Sequence, residues 1–527
     1  MAIQAVTTSQ TGAGPLVSVA SGNLAYIFEG VRLIATSGNA AVANALNASN
    51  VSVVVSGEIL SAGNGVRLSG TSVSNLTITV TETGRIFGET FTGVNVTGAN
   101  SRIVNRGHVE SERSVALYAE GAGAVIENHG HAGTLASASF SGAAEINGQS
   151  GLGTLINFGT LSHTLGPRPV VSAISSGAAG VVIHNFGDII GASNTAVLAN
   201  GARLRLFNDG NILGDVRLGT NLADAPSRVV NDGTIRGDVV FTGLNQNDML
   251  RNSGRIDGDV SFDVAPGSAG NNRIDLRGGE VTGVVRGGAG DDLYLLSDPD
   301  QRIEELPGGG VDTVAGDFDI ALEDFPEIEN ALLLGRADLS AEGAAGPNRL
   351  EGNRGANRLD GGDGADHLLG RAGDDRLFGG AGPDLIEGGP GVDRLFGGGG
   401  PDQLFGGSGD DVLSGGFGAD VLTGGPGADV FAFRSAGEAG KGAQRDRITD
   451  FSRSEGDRID LSVIDADATR PGNQSFRFIG SNPFSGTPGE LMQQGSTLRA
   501  DVTGNGAVDF AIEVEGFGAL RAADFLL

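Results

Sequence analysis

The chain has no cysteine, no tryptophan, three tyrosines and one lysine, Lys441, against 34 arginines. Without cysteine there are no disulfides, no thiolate nucleophile and no cysteine-ligated metal. No segment reaches the ~20 consecutive apolar residues needed to span a bilayer. Residues 1–20 lack a basic stretch followed by an apolar run, so no standard secretory leader is expected. The chain is therefore either cytosolic or exported by another route. Positive charge is scarce overall. A formal net charge of −29 argues against nucleic acid and against anionic membranes. The simplest partner for that charge is a divalent cation. The six histidines are His108, His129, His131, His163, His184 and His367, and none forms a His-Glu-x-x-His pair. No Gly-x-Ser-x-Gly elbow is present either. His129 and His131 could touch a metal, but a pair in a turn is the plainer reading.

Glycine is abundant, 91 of 527 residues, yet 39% of the chain is hydrophobic. Repeats reconcile these facts better than disorder does. From Gly361 to Asp429 the chain repeats Gly-Gly-x-Gly-x-Asp-x-(Leu/Ile/Phe)-x. The aspartates are Asp366, Asp375, Asp384, Asp393, Asp402, Asp411, Asp420 and Asp429. The large apolar residues follow two positions later, from Leu368 to Phe431. A flexible linker has no reason to place an aliphatic residue at every ninth position.

Each unit divides into a glycine-rich turn and a three-residue strand whose middle side chain points inward. Two units close one coil, so alternate turns stack on one edge. One edge is expected to carry Asp366, Asp384, Asp402 and Asp420, and the other Asp375, Asp393, Asp411 and Asp429. Like charges stacked at ~4.8 Å repel, and a hard cation between successive turns removes that cost. Ca²⁺ takes about six to eight oxygens, whereas Mg²⁺ demands tight octahedral geometry and zinc prefers His or Cys. The expected ligands are the eight aspartates and the turn glycines Gly361, Gly364, Gly370, Gly373, Gly379, Gly382, Gly388, Gly391, Gly397, Gly400, Gly406, Gly409, Gly415, Gly418, Gly424 and Gly427. Several Ca²⁺ ions are implied, with folding coupled to their binding. Asn348 and Asn357 occupy the aspartate slot in two earlier units, which reads as a cap with weak or absent sites. Arg371 replaces a second glycine and puts the site of Gly370 in question. Outlying units sit at Gly287-Gly288-Ala289-Gly290-Asp291-Asp292 and at Gly308 to Asp312. This period resembles the calcium-binding repeat of RTX proteins, which form parallel β-rolls.

Residues 50–285 carry a looser repeat, Asn-x-Gly followed by an apolar residue. It recurs at Asn105, Asn128, Asn157, Asn185, Asn208, Asn231 and Asn252, mostly 21–29 residues apart. A rung of that length suits a three-strand coil of a parallel β-helix. Asn and Gly together suit a turn, since both tolerate left-handed backbone. Stacked asparagines could hydrogen-bond along the axis as a structural ladder. Residues 1–50, rich in Ala, Ser and Asn, are weakly patterned and could cap the solenoid.

After Phe433 the nonapeptides stop. Strand-like pieces follow, Asp446-Arg447-Ile448-Thr449-Asp450-Phe451 among them, and the chain ends Ala523-Asp524-Phe525-Leu526-Leu527. With the array, this tail resembles the C-terminal domain of serralysin-type metalloproteases over residues 346–527, without their protease domain. The resemblance implies a calcium-loaded β-roll closed by a β-rich cap, and export by a type I secretion apparatus through an uncleaved C-terminal signal. The protein would then be extracellular or associated with the cell surface. Asp501 to Asp509 has a calcium-loop flavour but reads better as a turn. Asp446 and Asp450 could ligate a peripheral ion.

The expected class is all-β. The segments are an N-terminal cap at 1–50, a β-helix-like domain at 51–285, a connecting β segment at 286–345, an RTX β-roll at 346–433, and a β-rich cap with the secretion-signal region at 434–527. The expected function is a secreted, non-catalytic calcium-binding protein of adhesive, matrix or surface-layer type. Its partners would be a cell surface, a polysaccharide or further copies of itself. The alternative is a polysaccharide-modifying enzyme, since a β-helix followed by RTX repeats resembles secreted alginate epimerases in architecture. The scattered tyrosines Tyr26, Tyr118 and Tyr294 offer no aromatic platform for that reading.

Overall fold

The computed structural model describes all residues except 1, 14, 38–39, 45–47, 135–141, 149–150, 165–167, 175–179, 201–202, 220–225, 243–246, 263–268, 468 and 517. The chain divides into two units, Met1–Gly310 and Val311–Leu527. Among the described residues the regular elements are β-strands and three single-turn 3-10 helices.

In the first unit each repeat forms three short strands, and each strand pairs in parallel with its counterpart one repeat away. One face runs from Ile3–Val6 through Leu24–Ile27, Ser52–Val55 and Thr77–Val80 to Leu293–Leu296. The second includes His108–Ser111, His131–Thr134 and Thr160–His163. The third includes Val94–Ala99, Leu117–Glu120, Ala144–Asn147 and Val171–Ile174. The strands Asp188–Asn200 and Asn211–Gly219 pass through both the second and third faces. This is the three-strand coil that the ~23-residue period predicts. It begins at residue 3, because alternation within residues 3–44 is enough to make coils without the Asn-x-Gly signature.

Alternation decides the core. Val53, Ile78, Ile103, Ile126, Leu155, Ile183, Leu206, Val229, Leu250, Ile274 and Tyr294 lie in register on one face, and all are fully buried. Most of their neighbours in sequence lie at least partly in solvent, as the two-residue period of a strand requires, whereas Val104, Val182, Val230 and Leu295 are also buried. β-Branched and long aliphatic side chains fill such a stack well.

The repeated asparagines form a buried ladder. The Asn105 amide donates to Asn128 Oδ1 (2.7 Å), and the chain continues through Asn157, Asn185, Asn208 and Asn231 to Asn252 at 2.7–2.8 Å. Each amide is both donor and acceptor, so identical side chains satisfy one another. The glycine two residues later has a different basis from the one its sequence suggests. Its backbone is not left-handed at any of these positions. Instead, a Cβ at Gly130, Gly159, Gly187, Gly210, Gly233 or Gly254 would collide with the carbonyl oxygen of the preceding glycine in the column. Left-handed asparagines do occur, in a second column at Asn50, Asn75 and Asn100 with φ of 54–56°. There the side chains bond at 2.8 and 3.3 Å.

In the second unit successive repeats go to opposite sheets. His367–Leu369, Leu385–Pro390, Gln403–Ser408 and Val421–Thr423 stack on one. Arg358–Asp363, Arg376–Ala381, Arg394–Gly399, Val412–Phe417 and Val430–Ala432 stack on the other. Leu368, Leu377, Ile386, Leu395, Leu404, Leu413, Leu422 and Phe431 fill the narrow space between them and are fully buried. The tail adds a parallel strand to each sheet, Arg447–Ile448 to the first and Arg458–Asp460 to the second. An antiparallel meander, Glu490–Gln494, Thr497–Asp501 and Phe510–Val514, then joins the first sheet, and Phe525–Leu526 extends the second. The roll is thus an all-β solenoid closed by a β-rich cap.

Replacing Asn185 by alanine removes one rung of the ladder and leaves Asn208 Oδ1 and part of Asn157 unsatisfied. With ~1–3 kcal/mol for each orphaned buried group, a loss of ~2–4 kcal/mol is expected in chemical denaturation of the full chain. Gly187→Ala should destabilise the same coil through its backbone clash while leaving the asparagines intact.

Candidate metal centre

The nonapeptide aspartates fall into two buried columns, as the eighteen-residue coil demands. The backbone N–H of Asp366 donates to Asp384 Oδ1, that of Asp384 to Asp402 and that of Asp402 to Asp420, each at 2.9 Å. On the opposite edge Asp375, Asp393, Asp411 and Asp429 are joined in the same way at 2.7–2.9 Å. One carboxylate oxygen of every aspartate is therefore taken by the neighbouring coil. The other, Oδ2, is buried without a hydrogen-bond partner in all eight. An unpaired buried carboxylate oxygen is costly, and eight in the same position share one cause.

The surrounding groups indicate that cause. A methyl group on Gly361 would fall 2.5 Å from Asp366 Oδ2 and 2.5 Å from the Gly379 carbonyl oxygen. The same convergence of carboxylate and carbonyl recurs at Gly370, Gly379, Gly388, Gly397 and Gly406, and Gly415 and Gly424 face Asp420 and Asp429. Only glycine leaves this space open, and the polar atoms nearest to it are oxygens. That donor set suits a hard cation such as Ca²⁺. The glycines two residues before each aspartate, Gly364, Gly373, Gly382, Gly391, Gly400, Gly409, Gly418 and Gly427, also meet a packing demand. A Cβ there would strike the carbonyl of the residue one coil earlier, so they permit the close stacking of turns.

Arg371 takes the place of a left-handed glycine and adopts its conformation, with φ of 78° beside 90–115° for Gly362, Gly380, Gly389, Gly398, Gly407, Gly416 and Gly425. The turn is preserved at the cost of backbone strain. Asn348 and Asn357 end the columns by hydrogen bonding alone. Their Oδ1 atoms accept from Ala344 N and Asn353 N, and their amide groups donate to the carbonyls of Glu329 and Leu339. At the other end, Asp446 Oδ1 accepts from Asp420 N, and Asp446 Oδ2 is buried and unpaired. Asp446 thus extends one column, which the sequence disguises because it lies 26 residues after Asp420 rather than 18. Asp457 ends the other column, with Oδ2 held by Ser452 N. Asp450 accepts from Gly424 N and Gly425 N. Asp501 and Asp509 are engaged by the backbone of their own turn. His367 bridges Arg349 and Glu387. In the outlying unit of the first solenoid, Asp292 Oδ1 accepts from Asn272 N at 2.6 Å, the same linkage as in the array.

Burial drives the electrostatics. It pushes the carboxyls of Asp384, Asp393, Asp420 and Asp429 up to about 6, those of Asp375, Asp402 and Asp411 to about 7, and that of Asp446 to about 8. The backbone N–H bond of each opposes this, and the neighbouring carboxylates mostly add to it. One unit corresponds to ~1.4 kcal/mol, so even a fraction of these shifts rivals the ~5–15 kcal/mol that stabilises a domain. At neutral pH the ionised, ion-free array is therefore strongly destabilised.

A sequence model of the RTX calcium-binding nonapeptide repeat (4 copies) matches residues 342–377, 369–404 and 398–431. No curated protein matches the chain. Among solved structures, the chain is similar to the solution structure of the AlgE6R3 subunit from the Azotobacter vinelandii mannuronan C5-epimerase. The identity is 31% over 29% of this chain and 77% of that one, with a TM-score of 0.13.

The aspartate columns and their one strained turn carry three predictions. Folded-state values lie above the unfolded ~3.9, so ion-free stability is fully present below pH ~4 and falls as pH rises through 6–7. Circular dichroism in chelator should show more β signal at pH 4 than at pH 7.5. Calcium binding at pH 6 should release protons, read by calorimetry in buffers of different ionisation enthalpy, and the release should fade above pH ~8. Arg371→Gly should relieve strain of ~1 kcal/mol and lower the calcium concentration at half-folding.

Residues 342–431 are an RTX calcium-binding nonapeptide array.

Proposed function

We propose that this is a secreted protein whose C-terminal roll folds on calcium outside the cell and whose N-terminal β-helix serves as an adhesive, matrix or surface-layer module. The observation that carries the reading is the eightfold recurrence of a buried aspartate with one oxygen bonded to the next coil and the other unpaired. Where calcium is scarce, as in a cytosol, ionised columns repel and the roll stays open. Where calcium is abundant, binding free energy becomes folding free energy. The ligands are the aspartates of the two columns and the glycine carbonyls facing them. Export by a type I apparatus rests on the resemblance of residues 346–527 to serralysin C-terminal domains. The net charge of −29 supports an acidic, calcium-bridged surface rather than a nucleic-acid or membrane partner. A structural role for the first unit is supported by its ladders, whose repeated side chains are occupied with their own copies.

The test is a calcium titration of the full chain followed by circular dichroism. A large gain of β signal is expected with calcium and not with magnesium, and it should be much reduced in Asp384→Ala/Asp402→Ala. No change at millimolar calcium would overturn the calcium-folding claim. For the role, chelation should release cell-bound protein or disperse its assemblies. Turnover of an acidic polysaccharide by the calcium-loaded chain would instead favour the enzyme reading.

A further inference from the structure

Among the described residues, the outer wall of the first unit carries a cluster whose donors are not those of calcium. His108 and Glu110 lie on the strand His108–Ser111, two residues apart, and so project from the same side of it. His131 opens the next strand in register, directly beside His108. The two imidazoles stack at 4.6 Å between centroids. Glu110 Oε1 lies 2.9 Å from His108 Nε2 and 3.8 Å from His131 Nε2. One ligand atom from each residue lies within 4.8 Å of the others. The geometry points to a site for a borderline divalent transition metal such as Zn²⁺, held by His108, Glu110 and His131 with water in the remaining positions.

Two features support this. The donor set is two imidazoles and a carboxylate, the set that open zinc sites use and that calcium does not select. Bonds of ~2.0–2.2 Å set ligands roughly 3.3 Å apart, so side-chain rotations of less than about an ångström would close the site. Gly133 is the second feature. It stands between Glu110 and Ser162 in the adjoining register, where a Cβ would lie 2.8 Å from His131 Nε2 and 3.0 Å from Ser162 Oγ. Glycine within a strand marks a close approach, and here it lets the His131 ring lean toward Glu110. His129 and His184, also at least partly in solvent, are engaged differently. His129 bonds Glu127 and stacks on Phe158, and His184 stacks on Phe207.

The experiment is a Co²⁺ titration read by visible absorption, and a Zn²⁺ titration by calorimetry, on the full chain with calcium in excess throughout. One ion per chain is expected, with ligand-field bands of low coordination number. His131→Ala and His108→Ala should weaken binding at least ~10-fold, as should the near-isosteric Glu110→Gln, which keeps the fold. Gly133→Ala should weaken it without removing a donor, while His129→Ala and His184→Ala should leave it unchanged. The absence of a transition-metal isotherm in calcium-loaded protein, or binding by Glu110→Gln and His131→Ala as tight as that of the unsubstituted chain, would overturn the site.

Discussion

Coils stacked at ~4.8 Å put every repeated side chain against its own copy. That single constraint decides which residues each column tolerates. An asparagine amide is donor and acceptor at once, so a column of asparagines is self-satisfied and can be buried whole. An aspartate is acceptor only when ionised. A column of aspartates leaves one oxygen per coil unmet and adds repulsion from coil to coil. The same stacking therefore makes one solenoid that is complete by itself and one that is incomplete without a cation.

Aromatic and histidine side chains obey the same rule on the outside. His129, Phe158 and Phe186 stack with centroids 4.7 and 4.9 Å apart, and Phe378 lies on Phe396 at 5.0 Å. Planar rings tolerate their copies by offset stacking. Where a stacked pair of histidines adjoins a glutamate, the column changes character and becomes a set of converging donors. In the other described columns the repeats answer one another.

Glycine shows how one residue type meets two demands. In the first unit the glycine of Asn-x-Gly makes room for a carbonyl of the coil beside it. In the second, the second glycine of each nonapeptide takes a left-handed conformation, and Arg371 bears the strain of doing so with a side chain. Spacing alone does not separate these roles, since both appear as a periodic glycine.

The periods determined most of this protein by themselves. Nine residues imply two units per coil, two edges of aspartates and an aliphatic interior, and those edges appear with the aspartates assigned to them. A period of mostly 23 residues implies three strands and a stack of asparagines. What spacing could not convey was anything off the period. Coils between residues 3 and 44 lack the asparagine that marks the later ones. Asp446 joins its column only after a longer connection. The convergence of His108, Glu110 and His131 depends on register between rungs and on the bare strand position at Gly133. These are distances between residues far apart in sequence, and only the tertiary structure, by fixing which side chains share a wall, decides them.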